Sequence, residues 1–193
     1  SIRDLAEEYD LFIIEDAAQA MGAVFNGYRA GSMGHIGCFS FYPAKILGCY
    51  GDGGAITTNN KDLHEKIYDL RDHNLLGKKP TDNPVDFGVN SRLDSIQAAF
   101  LNVKIKKHEE SLRKRKEVCE RYLEGLKDLP IKLPVYPEGR VWQDFVFQTN
   151  RRDDLAKFLD DKEIKVRGQG LYPNHAYKGL GLDKFILPKT DEY

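Results

Sequence analysis

Three residues whose side chains can do chemistry follow apolar runs of the sequence. Asp16 supplies a carboxylate, Ser40 a hydroxyl and Lys45 an amine, and the last two lie five residues apart. An amine can form a Schiff base with a carbonyl compound, and a carboxylate can stabilise a cation beside it. Taken singly, an acid after an apolar run is typical of a helix cap and a lysine is typical of the surface. The three together predict a site in which an amine reacts covalently.

The glycine-rich run at residues 48–54 lies just after Lys45. It matches neither the P-loop pattern nor GxGxxG, so we interpret it as a tight turn and not as a cradle for nucleotide phosphates. The five histidines show no spacing typical of metal ligands, and no serine–histidine–aspartate set is indicated. No metal is therefore expected.

The runs that precede these residues predict strands of a mainly parallel sheet with helices on both faces. Residues 11–14 are an unbroken apolar run, typical of a strand buried on both faces. Residues 38–42 and 55–58 are two further predicted strands. Ligands of such sheets gather at the carboxyl ends of the strands, where Asp16 and Ser40 lie.

Residues 91–127 predict one long helix. Ser91 and Asp94 resemble a capping box, and Ile96, Phe100 and Val103 follow at helical spacing and predict its buried face. At a rise of 1.5 Å per residue the helix would be about 54 Å long, which exceeds the width of one small domain. Its middle is almost wholly charged, so we expect it to cross exposed ground between two lobes.

The chain is therefore expected to hold parts of two domains. Residues 1–120 predict part of a large α/β domain, joined by the long helix to part of a small α+β domain at 121–193. In the small domain, residues 142–149 and 164–166 predict strands and residues 152–162 an amphipathic helix. Residues 75–89 predict a loop, because they contain prolines and show no periodicity.

Charge and hydropathy exclude several classes of protein. The 29 basic and 30 acidic residues leave a net charge of −1, so a general nucleic-acid binder is not expected. The mean hydropathy is −0.53, and no apolar run approaches the length of a membrane span. The three cysteines are irregularly spaced, which favours free thiols in the cytoplasm over a disulfide framework.

A carboxylate, a hydroxyl and an amine at strand ends are also what pyridoxal phosphate requires of a protein. Four segments of this sequence resemble the DegT/DnrJ/EryC1/StrS family of nucleotide-sugar aminotransferases, which use this cofactor and have the type I aspartate-aminotransferase fold. They occur in the family's order and at nearly its spacing, and the resemblance covers essentially the whole chain. The segments are IEDAAQA at 14–20, SFYPAK at 40–45, GDGGA at 51–55 and GVNSRLD at 88–94.

The resemblance implies a role for each matching residue near the cofactor. Lys45 would hold the cofactor covalently and move a proton, and Asp16 would pair with the ring N–H. Ser40 would bind the phosphate, although it could be a plain strand residue. Gln19 would lie near the ring and its 3′-oxygen, although its position is also that of a helix start.

Three further residues are implied to act across a subunit interface. Asn90 would reach the phosphate of the neighbouring subunit's cofactor, so the active site would be shared by a homodimer. Its position before Ser91 is also that of a helix cap. Arg92 and Tyr172 are candidates for contacting the substrate across that interface.

The resemblance implies transfer of an amino group from an amino acid, glutamate, to a nucleotide-linked ketosugar in surface-polysaccharide or deoxyaminosugar biosynthesis. The wording at 48–54 is similar to members that aminate the 3-position. Sugar dehydratases of the family carry histidine where this chain has Lys45, which argues against that alternative. A non-enzymatic regulatory or scaffold protein on the same fold is the other alternative.

Family members are longer at both ends, so the 193 residues are expected to be an interior portion that is inactive alone. Two segments also depart from the family's wording. Residues 71–74 read RDHN where many relatives have Arg-x-His-Gly, and residues 171–175 read LYPNH where many have His-Tyr-Pro. Both departures concern the expected contacts with the sugar.

Overall fold

The computed structural model describes residues 1–75, 87–135, 137–167, 172–182 and 184–191. The predicted loop at 75–89 therefore lies largely outside the described residues. The described residues form five short strands, all between the first and second of six α-helices. The strands are β1 (Ile14–Asp16), β2 (Val24–Phe25), β3 (Tyr28–Arg29), β4 (Ile36–Ser40) and β5 (Gly54–Thr57). The helices are α1 (Ile2–Glu8), α2 (Lys61–Leu70), α3 (Ser95–Lys104), α4 (His108–Leu126), α5 (Arg152–Asp161) and α6 (Pro188–Asp191).

Strands β1, β4 and β5 form one sheet in that order. β1 and β4 are parallel, with Asp16 opposite Cys38, and β4 and β5 are antiparallel, with Ser40 opposite Gly54. The sheet is therefore mixed within the described residues, with one parallel pair and one antiparallel pair. Separately, β2 and β3 form a hairpin whose turn is Asn26-Gly27, and both turn residues have positive φ as a two-residue hairpin requires.

The apolar run at 11–14 differs from its prediction. The strand begins only at Ile14, and Leu11, Phe12 and Ile14 expose 58%, 76% and 65% of their surface. β1 lies at the edge of the described sheet, and its burial on both faces is therefore wrong for this chain. A strand buried on both faces needs elements packed against each side, which the local sequence cannot show.

The core of the chain lies beside the loop that follows β4. Leu47, Cys49 and Leu101 are buried together. Met21, Phe41 and Leu93 pack against them from the partly buried periphery. Since Leu101 belongs to α3, this helix packs against the segment that carries Lys45.

The predicted long helix is interrupted. A 3-10 turn at Ile105–Lys107 separates α3 from α4. α3 begins at Ser95, and its N-cap residue Asp94 makes no side-chain capping bond, so the predicted capping box at 91–94 is wrong. Asn60 does cap α2, since its side chain accepts a 3.0 Å hydrogen bond from the Leu63 N–H.

The buried face of α3 also differs from the prediction. Ile96, Phe100 and Val103 expose 63%, 38% and 66% of their surface, whereas Leu101 is buried. The helix therefore turns Leu101 towards the core. On α4 the charged middle is exposed and forms i,i+4 ion pairs, as a solvated face requires. These pairs are Glu110–Lys114, Arg113–Glu117 and Lys116–Glu120.

The chain divides into two compact units. The first comprises Ser1–Leu129 with Leu133–Phe147, and the second Pro130–Lys132 with Gln148–Tyr193. The end of α4 and residues 133–147 thus belong to the first unit, whereas the sequence places everything after residue 120 in the small domain. The expected strands at 142–149 and 164–166 do not form among the described residues. Of the first segment, the described chain pairs only Gln148, in an isolated bridge to Lys132. A strand needs a neighbour along its whole length.

In the second unit, α5 confirms the predicted helix at 152–162. Two 3-10 turns, Asn174–Ala176 and Lys178–Leu180, follow before α6. Across both units, no described helix combines the length and the apolar character needed to cross a bilayer.

Candidate active site

Asp16 and Ser40 lie at the carboxyl ends of two neighbouring strands and on the same face of the sheet. Each is the last residue of its strand, and the two strands are parallel. Asp16 is paired with Cys38, and side chains alternate along a strand, so Asp16, Cys38 and Ser40 project to one face. Ser40 lies two residues, about 7 Å, beyond the level of Asp16. The structure thus brings the predicted ring carboxylate and the predicted phosphate hydroxyl to one place.

The turn after β1 holds Asp16 and exposes Gln19. Asp16 Oδ1 accepts a 3.1 Å hydrogen bond from the Ala18 N–H, and the Ala20 N–H donates to the Ala17 carbonyl at 3.0 Å. This is an Asx-type turn that continues for one more residue, and not the start of a helix. Gln19 is exposed on this turn, three residues from Asp16 at the same edge.

The surface around Ser40 has little side-chain cover from β5. The residue opposite Ser40 is Gly54, where an added Cβ would lie 2.8 Å from the Phe39 carbonyl oxygen. A glycine is therefore required at that position by the close approach of the neighbouring strand. Ser40 Oγ accepts a 3.3 Å hydrogen bond from the Tyr42 N–H, so its own hydrogen remains to be donated.

Lys45 lies on a loop that leaves β4 and closes on Phe41, the residue directly after that strand. The Cys49 N–H donates to the Phe41 carbonyl at 2.8 Å and closes the loop, and the Lys45 N–H donates to the Tyr42 carbonyl at 2.9 Å. The Lys45 side chain is half-buried. Within the described ranges, no carboxylate lies within 4.0 Å of its Nζ atom. The amine therefore forms no ion pair with a carboxylate of those residues.

One residue that holds this loop was not found by the sequence analysis. The side-chain amide of Gln143 donates to the Ala44 carbonyl at 2.8 Å and accepts from the Ile46 N–H at 3.1 Å. Arg115 of α4 in turn donates to the carbonyls of Trp142 and Gln143, both at 3.2 Å. Nothing local marks Gln143 in the sequence, because it follows its partners by almost one hundred residues.

Gly48, the first residue of the glycine-rich run after Lys45, packs against the backbone of Tyr42 and Pro43. An added Cβ at Gly48 would lie 2.5 Å from the Tyr42 carbonyl oxygen, so the backbone approaches too closely for a side chain. Two side chains of α3 hold the same run: Gln97 Oε1 accepts from the Tyr50 N–H at 2.8 Å, and the Lys104 amine donates to the Gly48 carbonyl. The run therefore contacts its own protein through the groups described.

Asn90 and Arg92 lie beside the end of α2. Asn90 forms a backbone bridge with Asp72, and Arg92 Nη1 lies 3.2 Å from Asp72 Oδ1. Among the described contacts, no hydrogen bond or ion pair joins Asn90 or Arg92 to the cluster at the sheet edge. Tyr172 lies in the second unit and exposes 68% of its surface. The roles of Asn90, Arg92 and Tyr172 therefore stay predictions.

In the described part of the chain, no three His, Cys, Asp or Glu side chains cluster as metal ligands.

A protein-family model matches most of the chain. Residues 1–184 match the DegT/DnrJ/EryC1/StrS aminotransferase family.

The chain belongs to this family.

Its relatives include nucleotide-sugar transaminases. The chain is 38% identical over 199 residues to dTDP-3-amino-3,4,6-trideoxy-alpha-D-glucose transaminase of Streptomyces venezuelae, covering 100% of this chain and 52% of the relative. It is 41% identical over 194 residues to UDP-2-acetamido-2-deoxy-3-oxo-D-glucuronate aminotransferase of Pseudomonas aeruginosa, covering 100% and 53%. A third relative, 36% identical over 200 residues, is named pleiotropic regulatory protein of Geobacillus stearothermophilus, with coverage of 100% and 53%. This family member thus spans about half the length of the curated relatives it matches.

Solved structures agree with the predicted fold class. The structure of S. venezuelae DesV in complex with a ketimine intermediate superposes with a TM-score of 0.83 at 40% identity, over 92% of this chain and 49% of DesV. NtdA of Bacillus subtilis, with bound cofactor PMP, gives 0.82 at 31% identity, over 98% and 45%. The predicted α/β fold of type I pyridoxal-phosphate transferases is confirmed.

Proposed function

We propose that this family member is a pyridoxal-phosphate-dependent aminotransferase that transfers an amino group from an amino acid, glutamate, to a nucleotide-linked ketosugar. The observation that carries the proposal is the position of Asp16 and Ser40 at the carboxyl ends of neighbouring parallel strands, on one face of the sheet. Lys45 lies on the loop that follows Ser40 directly. The ends of parallel strands are where α/β proteins bind their ligands.

The chemistry of these side chains fits pyridoxal phosphate. The cofactor needs an amine, an anion for its ring nitrogen and hydrogen-bond donors for its phosphate, and Lys45, Asp16 and Ser40 supply these groups. The Ser40 hydroxyl retains a hydrogen to donate, and no described carboxylate forms an ion pair with the Lys45 amine. When bound, the cofactor supplies an electron sink that stabilises negative charge at the substrate carbon.

Each of these residues then has a defined task. Lys45 Nζ would hold the cofactor covalently, and as a free amine it would accept the proton from the α-carbon of the amino donor and later donate a proton to the sugar carbon that receives the amino group. The Asp16 carboxylate holds the proton on the ring nitrogen, because a nearby anion favours the charged form of a base. Ser40 Oγ donates to the phosphate, and Gln19 contacts the ring from the turn after β1.

The experiment that tests this function is reductive labelling of the full-length protein. After loading with pyridoxal phosphate and treatment with borohydride, the label is expected on Lys45, and Lys45→Ala is expected to abolish both labelling and turnover. Lys61→Ala is the matched control, because Lys61 is an exposed lysine at the start of α2. Recovery of the label on another lysine would refute the assignment.

We propose position 3 of the sugar as the site of amination, in deoxyaminosugar or surface-polysaccharide biosynthesis. Support comes from the two transaminase relatives, whose names specify a 3-amino or a 3-oxo sugar. Turnover of UDP- or dTDP-linked 3-ketosugars should exceed turnover of the matching 4-ketosugars. The opposite preference would contradict the proposed position.

We further propose a homodimer in which Asn90 reaches the neighbouring subunit's cofactor. Support comes from the exposed apolar side chains of α3, Ile96, Phe100 and Val103, which a second subunit could cover. Mixing inactive Lys45→Ala and Asn90→Ala proteins should restore activity, since each mixed dimer would hold one site with both residues intact. Absence of recovery after subunit exchange would contradict the shared site.

The cytoplasm is the proposed compartment. Cys38, Cys49 and Cys119 are free thiols, as is usual in a reducing environment.

The name of the Geobacillus relative favours a regulatory protein as a second candidate function. A regulatory protein would show no turnover of any ketosugar even with the cofactor attached at Lys45, whereas the proposed enzyme would.

A further inference from the structure

Gln143 contacts the chain on both sides of Lys45. Its amide nitrogen donates to the Ala44 carbonyl at 2.8 Å, and its amide oxygen accepts from the Ile46 N–H at 3.1 Å. A side-chain amide thus binds one backbone acceptor and one backbone donor, as a neighbouring strand would. The two bonds restrain the peptide groups that flank Lys45, and with them the direction in which its side chain leaves the loop.

Gln143 is itself held in place. Arg115 Nη1 donates to the Trp142 and Gln143 carbonyls, so α4 restrains the backbone from which the amide extends. Trp142, which precedes Gln143, exposes only 2% of its surface and anchors the segment in the protein. The link therefore runs from α4 through Gln143 to the peptide groups at 44 and 46.

We propose that Gln143 is a positioning residue that orients the Lys45 amine for covalent attachment and for proton transfer. This inference rests on the proposed role of Lys45. Proton transfer and covalent attachment depend steeply on the placement of the reacting atoms, and a displacement of 1 Å can cost on the order of 100-fold in rate. Substrate affinity depends on other groups, so loss of the Gln143 contacts reduces kcat far more than it raises KM.

Gln143→Met tests the proposal in the full-length protein, because methionine has a similar volume and neither donates nor accepts strongly. Gln143→Glu retains the acceptor for Ile46 but loses the donor for Ala44, so it should rescue part of the function. Gln97→Met is the matched control. Gln97 also binds a backbone group through its side-chain amide, the Tyr50 N–H of the glycine-rich run, but not beside Lys45.

Three measurements separate orientation from folding. The rate at which borohydride-trapped cofactor appears on Lys45 reports covalent attachment. The values of kcat and KM are measured separately. In the cofactor-free protein, hydrogen exchange at the Ile46 N–H reports the loop contact itself. We expect Gln143→Met to slow labelling and reduce kcat by about 10- to 100-fold, with KM changed less than about 3-fold. Exchange at Ile46 should accelerate in this variant and not in Gln97→Met.

Equal labelling rates and kcat values in Gln143→Met and Gln97→Met would overturn the positioning role while leaving Lys45 as the attachment site. Label on a different lysine in the unsubstituted protein would overturn the proposed function and this inference together. Should Gln143→Met not fold, Gln143→Asn is measured in the same way, because its side chain is one methylene too short to reach both groups.

Discussion

Glu15 accepts a 2.8 Å hydrogen bond from the backbone N–H of Gly31, sixteen residues further along the chain. The same carboxylate accepts from the N–H groups of Met33 and Gly34, the latter at 2.5 Å. Glu15 and Asp16 are adjacent in β1 and project to opposite faces. One carboxylate therefore holds the 31–34 loop, while its neighbour faces the candidate site.

Glu15→Gln should destabilise the full-length protein by about 1–3 kcal/mol, because an amide nitrogen cannot accept and at least one backbone N–H loses its partner. Denaturant unfolding measures the change. Glu7→Gln on the exposed face of α1 is the control and should leave the midpoint unchanged. Equal midpoints for both variants would show that the three bonds contribute nothing to stability.

Asp16→Asn should leave folding nearly unchanged and reduce turnover by at least about 100-fold, since the neutral amide no longer stabilises the positive ring nitrogen. Asp10→Asn is the matched control, because Asp10 is exposed with φ 50, a conformation that asparagine adopts readily. Turnover and thermal unfolding are measured on both variants. An active Asp16→Asn enzyme would disprove the role of Asp16 at the ring.

Gly88→Ala and Gly125→Ala should change stability in opposite directions. An added Cβ at Gly88 would overlap backbone atoms of His73 and Asn74. A side-chain rearrangement cannot remove this overlap, because the atoms concerned belong to the backbone. We expect a loss of about 1–3 kcal/mol. At Gly125 in α4 nothing lies within 4 Å of the added Cβ, so alanine should stabilise by about 0.5–1 kcal/mol. Urea unfolding of both variants decides, and equal shifts would contradict the packing at Gly88.

Burial raises the pKa of the Cys119 thiol above its usual range, against the opposing charges of Arg115 and Arg140. The neutral thiol's contribution to stability is fully present below the unfolded pKa of about 8.5 and is lost as pH rises towards the folded value. Cys119 should therefore react with iodoacetamide much more slowly in the folded protein than in urea at pH 8.5. Mass spectrometry of timed digests measures both rates, and equal rates would contradict the buried thiol.

The sequence by itself determined the family, the order of the candidate residues and the helix predicted at 152–162. Asp16 and Ser40 are the last residues of β1 and β4, two residues after the predicted run at 11–14 and two residues before the predicted end of the strand at 38–42. The amphipathic pattern that predicts the helix at 152–162 is a local feature. The type I fold followed from four ordered motifs.

Only the tertiary structure decided which distant groups meet. Gln143 binds Ala44, 99 residues away, and no periodicity of the sequence encodes that contact. Residues 142–149 alternate as a strand does, yet in the described part of the chain they contribute one isolated β-bridge, between Gln148 and Lys132. α3 turns Leu101 inwards and leaves Ile96 exposed, because the loop after β4 selects the packed face. Strand pairing and helix docking depend on the neighbour across the space, which the local pattern does not specify.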